Sequence, residues 1–355
     1  MRRFLISVIT MTLISQFLFS QIEYHDFEYD GITRDYIVFL PQEYNSLTEF
    51  PVILNLHGYG SEAESQMTYS GMNSVADTAG FIAVYPNAVD NVWNSGISDI
   101  PIWLAPDVDD VGFISALIDM LDMQFSIDLN RIYSSGMSNG GFMSYKLACE
   151  LSDRIAAIAS VTGTISQETA ENCDCQRTVP ILQLHGTADP VVPYSGPVNG
   201  WYSAQQAVEY WVELNSCSDS QTTPIPNFDP TDGCTVVKFL FPDCDDNSEI
   251  VFFRINNGGH TWPGATVDIN PSLYGNTNHD INANHEIWSF VSNYELNRTI
   301  GDLNQDGVLD VLDIVEIVDC ILGDPAENCL YGDVNEDGIV DVIDVVQMVS
   351  LILGR

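Results

Sequence analysis

The residue of this 355-residue chain best placed to do chemistry is a serine framed by glycines. Gly136-Met137-Ser138-Asn139-Gly140, followed by Gly141, fits G-x-S-x-G. RIYSSG in front of Ser138 reads as a short strand, and GGFMSYKLACEL behind it reads as a helix. In a strand-turn-helix setting the serine sits on a sharp, strained turn with its oxygen exposed above a sheet, where side chains in place of the glycines would clash. A serine hydroxyl is a weak nucleophile, so it needs a histidine to take its proton and a carboxylate to orient that histidine. Of the six histidines, His260 in INNGGHTWPG follows the strand-like run EIVFFRI. Asp189 in HGTADPVVPY follows the run VPILQLHG. Both fall in loops at strand ends, where α/β sheets bind ligands, and Ser138, Asp189, His260 is the chain order such a triad takes on this kind of sheet. A developing oxyanion needs two N–H donors. We expect them from Asn139 and from Tyr59, in LHGYG after the strand FPVILNL. The other histidines have plainer readings: His25 in an N-terminal strand, His57 as a loop residue, His185 beneath the Asp189 loop, His279 in a polar loop and His285 in the last helix.

The elements that must position these groups alternate along the chain. IEYHDFEY and RDYIVFLP open as a strand pair, and FPVILNLHG and FIAVYPN are buried strands. VGFISALIDMLDMQF has helical spacing, RIAAIASVTG is another strand, AQQAVEYWVELN a helix and HEIWSFVSNYEL a closing helix. Strand and helix taking turns predicts a mostly parallel sheet covered on both faces.

Together LHGYG, DDVGFI, GMSNGGFMSYKLACEL, HGTADPVVPY and GGHTWPG resemble the secreted esterases grouped with polyhydroxybutyrate depolymerases and feruloyl esterases. The resemblance covers most of residues 21–297. It implies an α/β-hydrolase fold, ester hydrolysis through an acyl-enzyme with no cofactor for the chemistry, and the same triad. It also suggests Trp262 and Trp93 as substrate-binding walls, and Cys217 paired with Cys244, leaving Cys234 unassigned. Asp109 and Asp110 read as N-terminal caps of a helix. Many relatives carry cysteines after a WN-type segment, and VWNSGISDIPIWLAP has none.

At Gly301 the character changes. GDLNQDGVLDVLDIVEIVDCILGD and YGDVNEDGIVDVIDVVQMVSLILG are one unit written twice, Asp302 to Asp333 being 31 residues (333 − 302). A fixed-period repeat marks one supersecondary unit used twice. Asp302, Asn304, Asp306, Asp310 and Asp313 fall at loop positions 1, 3, 5, 9 and 12, as do Asp333, Asn335, Asp337, Asp341 and Asp344. Gly307 and Gly338 stand at the sharp turn, and Val308 and Ile339 offer backbone carbonyls. This is calcium-ligand spacing, so two structural Ca2+ sites are expected. One helix after each loop resembles dockerin type I modules, which attach plant cell-wall enzymes to cohesin-bearing scaffolds. In familiar dockerins loop positions 10 and 11 help select the partner; here they are Val311, Leu312, Val342 and Ile343.

The expected organisation is a signal peptide over 1–20, an α/β-hydrolase esterase domain over 21–299 and a small all-α dockerin over 300–355. MRRFLISVITMTLISQFLFSQ has the basic start and short apolar run of an export signal, and no later run is apolar for long enough to span a bilayer. Export gives the eight cysteines a meaning as disulfides, though connectivity is not readable from sequence. Cys173-Asp174-Cys175 lacks the spacing of a zinc knuckle. A formal charge of −39 excludes nucleic acid and anionic lipid as partners. The expected activity is hydrolysis of feruloyl or acetyl esters on plant or algal polysaccharide. Its rivals are a polyhydroxyalkanoate depolymerase and an inert scaffold component.

Overall fold

The computed structural model describes residues 21–97, 106–196, 200–296, 301–303, 308–323, 332–335, 337 and 339–354. The expected signal peptide, the junction at 297–300, most of the cysteine-free rim after Trp93, and Asn304, Asp306, Gly307 and Gly338 lie outside these residues.

Among the described residues ten strands form one sheet: β1 (Ile22–Tyr29), β2 (Ile32–Phe39), β3 (Phe50–Leu56), β4 (Ile82–Pro86), β5 (Ile127–Met137), β6 (Ala157–Val161), β7 (Ile181–Gly186), β8 (Gln221–Pro224), β9 (Thr235–Phe241) and β10 (Ile250–Asn256). Their spatial order is β1-β2-β4-β3-β5-β6-β7-β10-β9-β8. The inner neighbours from β4 to β10 pair in parallel, and the outer pairs on both sides are antiparallel. This is the α/β-hydrolase fold, with a mixed, mostly parallel sheet.

β3 is buried at every position because it is covered on both faces, which is why FPVILNL is apolar nearly throughout rather than alternating. Val52, Leu54 and Leu56 enter one core, while Ile53 between them enters the other. The helices before the repeat are α1 (Ala63–Ser70), α2 (Asn73–Ala79), α3 (Asp110–Gln124), α4 (Asn139–Glu150), α5 (Gln167–Glu171), α6 (Ala204–Leu214), α7 (Pro271–Tyr274) and α8 (Ala283–Val291). α3, α4 and α6 cover the first face through Phe113, Leu117, Leu147 and Trp211. α1, α2 and α8 cover the second through Met67, Val75 and Ile287.

The strands and long helices predicted from sequence are present. The β8–β9 edge hairpin is an addition to that reading: Pro224, Pro226, Pro230 and Gly233 make the stretch look like loop. Disulfides join Cys149 to Cys173 and Cys217 to Cys244, the second being the pair the resemblance implied. Cys175 and Cys234 are free thiols.

In the C-terminal unit α9 (Val311–Leu322) and α10 (Val342–Ile352) pack on each other around Leu303, Ile317, Val334 and Met348. Among the described residues no helix is long and apolar enough to cross a membrane.

Candidate active site

Four strand ends converge on one cavity. Ser138 follows β5, Asp189 follows β7, His260 follows β10, and the Gly58-Tyr59 loop follows β3. These strands run parallel, so their carboxyl ends share an edge. Ser138 and His260 both open onto a cavity of about 630 Å³.

The serine sits where the strand must turn into α4. Its φ of 55° and ψ of −118° lie outside the favoured regions for an L-residue, so the surroundings must hold it there. They do so by tight contact. A Cβ on Gly136 would come 2.5 Å from the Gly140 backbone, and one on Gly140 would come 2.3 Å from the Leu56 carbonyl oxygen. A Cβ on Gly141 would meet Ser160 Oγ at 2.4 Å. The Ser138 N–H donates to the Val161 carbonyl at 2.8 Å, which fixes the turn to β6.

His260 Nδ1 donates to Asp189 Oδ2 at 2.8 Å, leaving Nε2 as the basic nitrogen. The other oxygen, Asp189 Oδ1, accepts from the Val191 and Val192 amides, each at 2.8 Å. That loop turns around its own carboxylate, which aims Oδ2 at the imidazole. His260 is held in turn, its N–H donating to the Tyr274 carbonyl at 2.6 Å. His185 lies fully buried below, bonded from Nε2 to the Val192 carbonyl at 2.9 Å, and burial lowers its pKa. The structure thus brings Ser138, Asp189 and His260 to one site, with His185 in the supporting position expected of it.

Asn139 is the first residue of α4, so its N–H belongs to the turn whose amides have no intrahelical acceptor. Tyr59 lines the cavity beside Ser138. Asn139 thus directly follows the serine in the chain, and Tyr59 shares its cavity. His57 is a structural loop residue, with Nε2 accepting from the Ala88 N–H at 3.0 Å and Nδ1 facing the Gly58 carbonyl at 2.8 Å. Burial pulls its pKa down to about 4.

Three sequence expectations need correction. Trp262 does not line the cavity: it is 1% exposed, and its indole N–H donates to Asn284 Oδ1 at 3.0 Å. Trp93 is fully buried, with its indole N–H on the His57 carbonyl at 3.1 Å. In both cases the indole N–H is satisfied by an acceptor inside the protein. The walls are instead Tyr59, Tyr69, Met137, Val191, Ile269 and Tyr274, residues without a shared pattern in the sequence. Asp109 is the N-cap of α3, as read, but Asp110 is a buried partner of Arg34 at 2.7 Å.

The side chains set for a cation in the repeat loops are carboxylates and amides. Asp313 and Asp344 are fully buried. Asp313 accepts from the Leu303 and Asp310 amides, and Asp344 accepts from the Asn335 and Asp341 amides; the bonds from Asp310 and Asp341 are equivalent in the two copies. The Asp337 N–H donates to Asp333 Oδ1 and Asn335 Oδ1, curling the second loop around its oxygens. Residues 301–354 contain no lysine or arginine to balance these carboxylates. The oxygen-only donor set fits a calcium ion.

Residues 108–221 match the family model for phospholipase/carboxylesterase. A protein of Nocardia uniformis subsp. tsuyamanensis assigned as the esterase NocK is 30% identical over 65% of this chain and 71% of its own length. The bifunctional acetylxylan esterase/xylanase XynS20E of Neocallimastix patriciarum is 25% identical over 78% of this chain, which spans only 36% of that protein. A protein of Aspergillus niger assigned as a feruloyl esterase C is 28% identical over 68% of this chain and 80% of its own length.

Proposed function

This chain belongs to the esterase family of the α/β-hydrolases and is a serine carboxylic ester hydrolase; on that footing we propose that it releases feruloyl or acetyl groups from plant or algal polysaccharide. Ser138 Oγ attacks the ester carbonyl while His260 Nε2 takes the hydroxyl proton. His260 then delivers that proton to the departing sugar oxygen, leaving an acyl-enzyme. Water, deprotonated by His260, adds to the acyl carbonyl, and His260 returns that proton to Ser138 Oγ as the acid leaves. Asp189 holds the imidazole in the tautomer this requires, and the Asn139 and Tyr59 amides receive the oxyanion.

The observation that carries this reading is the His260–Asp189 bond opening onto the same cavity as a serine on a strained strand-to-helix turn. The polysaccharide substrate is supported by relatives that act as feruloyl and acetylxylan esterases.

Residues 301–354 act as a dockerin, holding two calcium ions through Asp302, Asn304, Asp306, Asp310 and Asp313 and through Asp333, Asn335, Asp337, Asp341 and Asp344, with the Val308 and Ile339 carbonyls. Val311, Leu312, Val342 and Ile343 are each more than half exposed, at equivalent places in the two copies, and suit an apolar cohesin surface. The apolar start of the chain and the Cys149–Cys173 and Cys217–Cys244 disulfides support export.

The test is product release from feruloylated arabinoxylan, acetylated xylan and polyhydroxybutyrate in parallel, with Ser138→Ala as control. Serine-dependent ferulate or acetate is the expected result. Hydroxybutyrate alone would make this a polyester depolymerase.

A further inference from the structure

The tryptophan displaced from the substrate pocket bonds to Asn139 on one side and to His57, two residues before Tyr59, on the other. We propose that Trp93 is a positioning residue that locks the Asn139 and Tyr59 amides into one rigid unit, a role that rests on the esterase reading but on no particular acyl group.

One half of the connection runs through the Trp93 backbone. Its N–H donates to Asn139 Oδ1 at 2.7 Å, and its carbonyl accepts from Asn139 Nδ2 at 3.2 Å. Asn139 Nδ2 also donates to Ser95 Oγ at 2.9 Å. Both polar ends of the Asn139 side chain are thus committed, so the residue bearing the first oxyanion amide cannot turn without breaking them.

The other half runs through the indole. Nε1 donates to the His57 carbonyl at 3.1 Å, and the ring packs against the His57 imidazole with centroids 5.2 Å apart. His57 Nε2 accepts the Ala88 N–H, so its proton resides on Nδ1 and is donated to the Gly58 carbonyl. That peptide is trans, so pinning the Gly58 carbonyl to His57 sends the Tyr59 N–H to the opposite side. His57, Gly58 and Tyr59 therefore move with Trp93.

The brace is anchored from behind. The Asn94 N–H donates to Asp110 Oδ2 at 2.7 Å, and Lys146 Nζ donates to the Asn94 carbonyl at 3.0 Å. Asp110 is the buried partner of Arg34, whose guanidinium lies 3.6 Å over the Phe113 ring. The segment carrying Trp93 is thus tied to β2, α3 and α4.

Trp93→Phe keeps most of the ring and removes the indole N–H. With p-nitrophenyl acetate it should lower kcat by about 10- to 100-fold, short of the loss of a whole oxyanion donor, with KM within about twofold. Affinity for phenylboronic acid, whose serine adduct places an oxygen in the same hole, should fall by the same factor as kcat. A raised KM with kcat intact would make Trp93 a substrate contact and overturn the proposal. Unchanged kcat and boronate affinity would overturn it equally. If Trp93→Phe fails to fold by circular dichroism, Ser95→Ala carries the test. It should lower kcat and boronate affinity together by about two- to fivefold, and an unchanged boronate affinity would refute the brace.

Discussion

Ser138 holds a left-handed φ that costs an ordinary residue about 1–3 kcal/mol, and it holds it beside a histidine and a carboxylate already bonded to each other. These three residues were legible because the chemistry demands fixed types in fixed settings. Trp93 and Trp262 misled because an aromatic beside a catalytic loop looks like a pocket wall. Only the position of each indole N–H acceptor shows that both face inward. His57 gives a prediction at this scale. Buried neutral, with its pKa lowered from 6.5 to about 4, it binds a proton more readily in the unfolded chain than in the folded one. Its support for the fold is complete above pH 6.5 and is lost as pH falls through the window down to about 4, a change on the order of 3 kcal/mol. Denaturant unfolding of the wild type and His57→Gln across that range should show the wild-type curve falling more steeply. Parallel curves would mean that His57 is not held neutral.

The elbow between β5 and α4 shows what an element scale adds. Its glycines are required by contact rather than by positive φ, since α4 presses against the backbone of the loop after β3. Gly140→Ala must push a methyl onto two carbonyl oxygens, at 2.3 and 2.7 Å, so we expect a loss of about 3 kcal/mol or more. Gly58→Ala meets its nearest atoms at 3.5 Å, ordinary contact, and should cost less than about 1 kcal/mol. Thermal melts of the two variants settle this, and equal shifts would contradict it. Sequence located the elbow because strand, glycine and helix signals coincide within a few residues. It missed β8 and β9, where Pro and Gly interrupt the pattern and Lys238 reaches over Phe253 on the neighbouring strand. The cavity walls escaped for a related reason: Tyr59, Tyr69 and Tyr274 come from three separate segments that only the fold brings together.

For the molecule as a whole, charge and architecture divide the labour. Of a formal −39, part is concentrated in two repeat loops whose buried Asp313 and Asp344 have no basic side chain within residues 301–354 to balance them. The repeat was plain in sequence because the same acidic register appears twice, 31 residues apart. Whether a scaffold binds it is decided by a partner's surface, which no sequence of this chain encodes. Chelation with EDTA should melt α9 and α10 by circular dichroism while p-nitrophenyl acetate turnover changes by less than about twofold. Equal loss of turnover would mean that the two regions are not independent. The central claim, that Ser138 is the nucleophile driven by His260 and Asp189, is tested most directly by covalent labelling. A fluorophosphonate probe followed by peptide mass spectrometry should place the adduct on Ser138, with His260→Ala folded but labelled far more slowly. An adduct on another residue, or full-rate labelling without His260, would contradict the assignment.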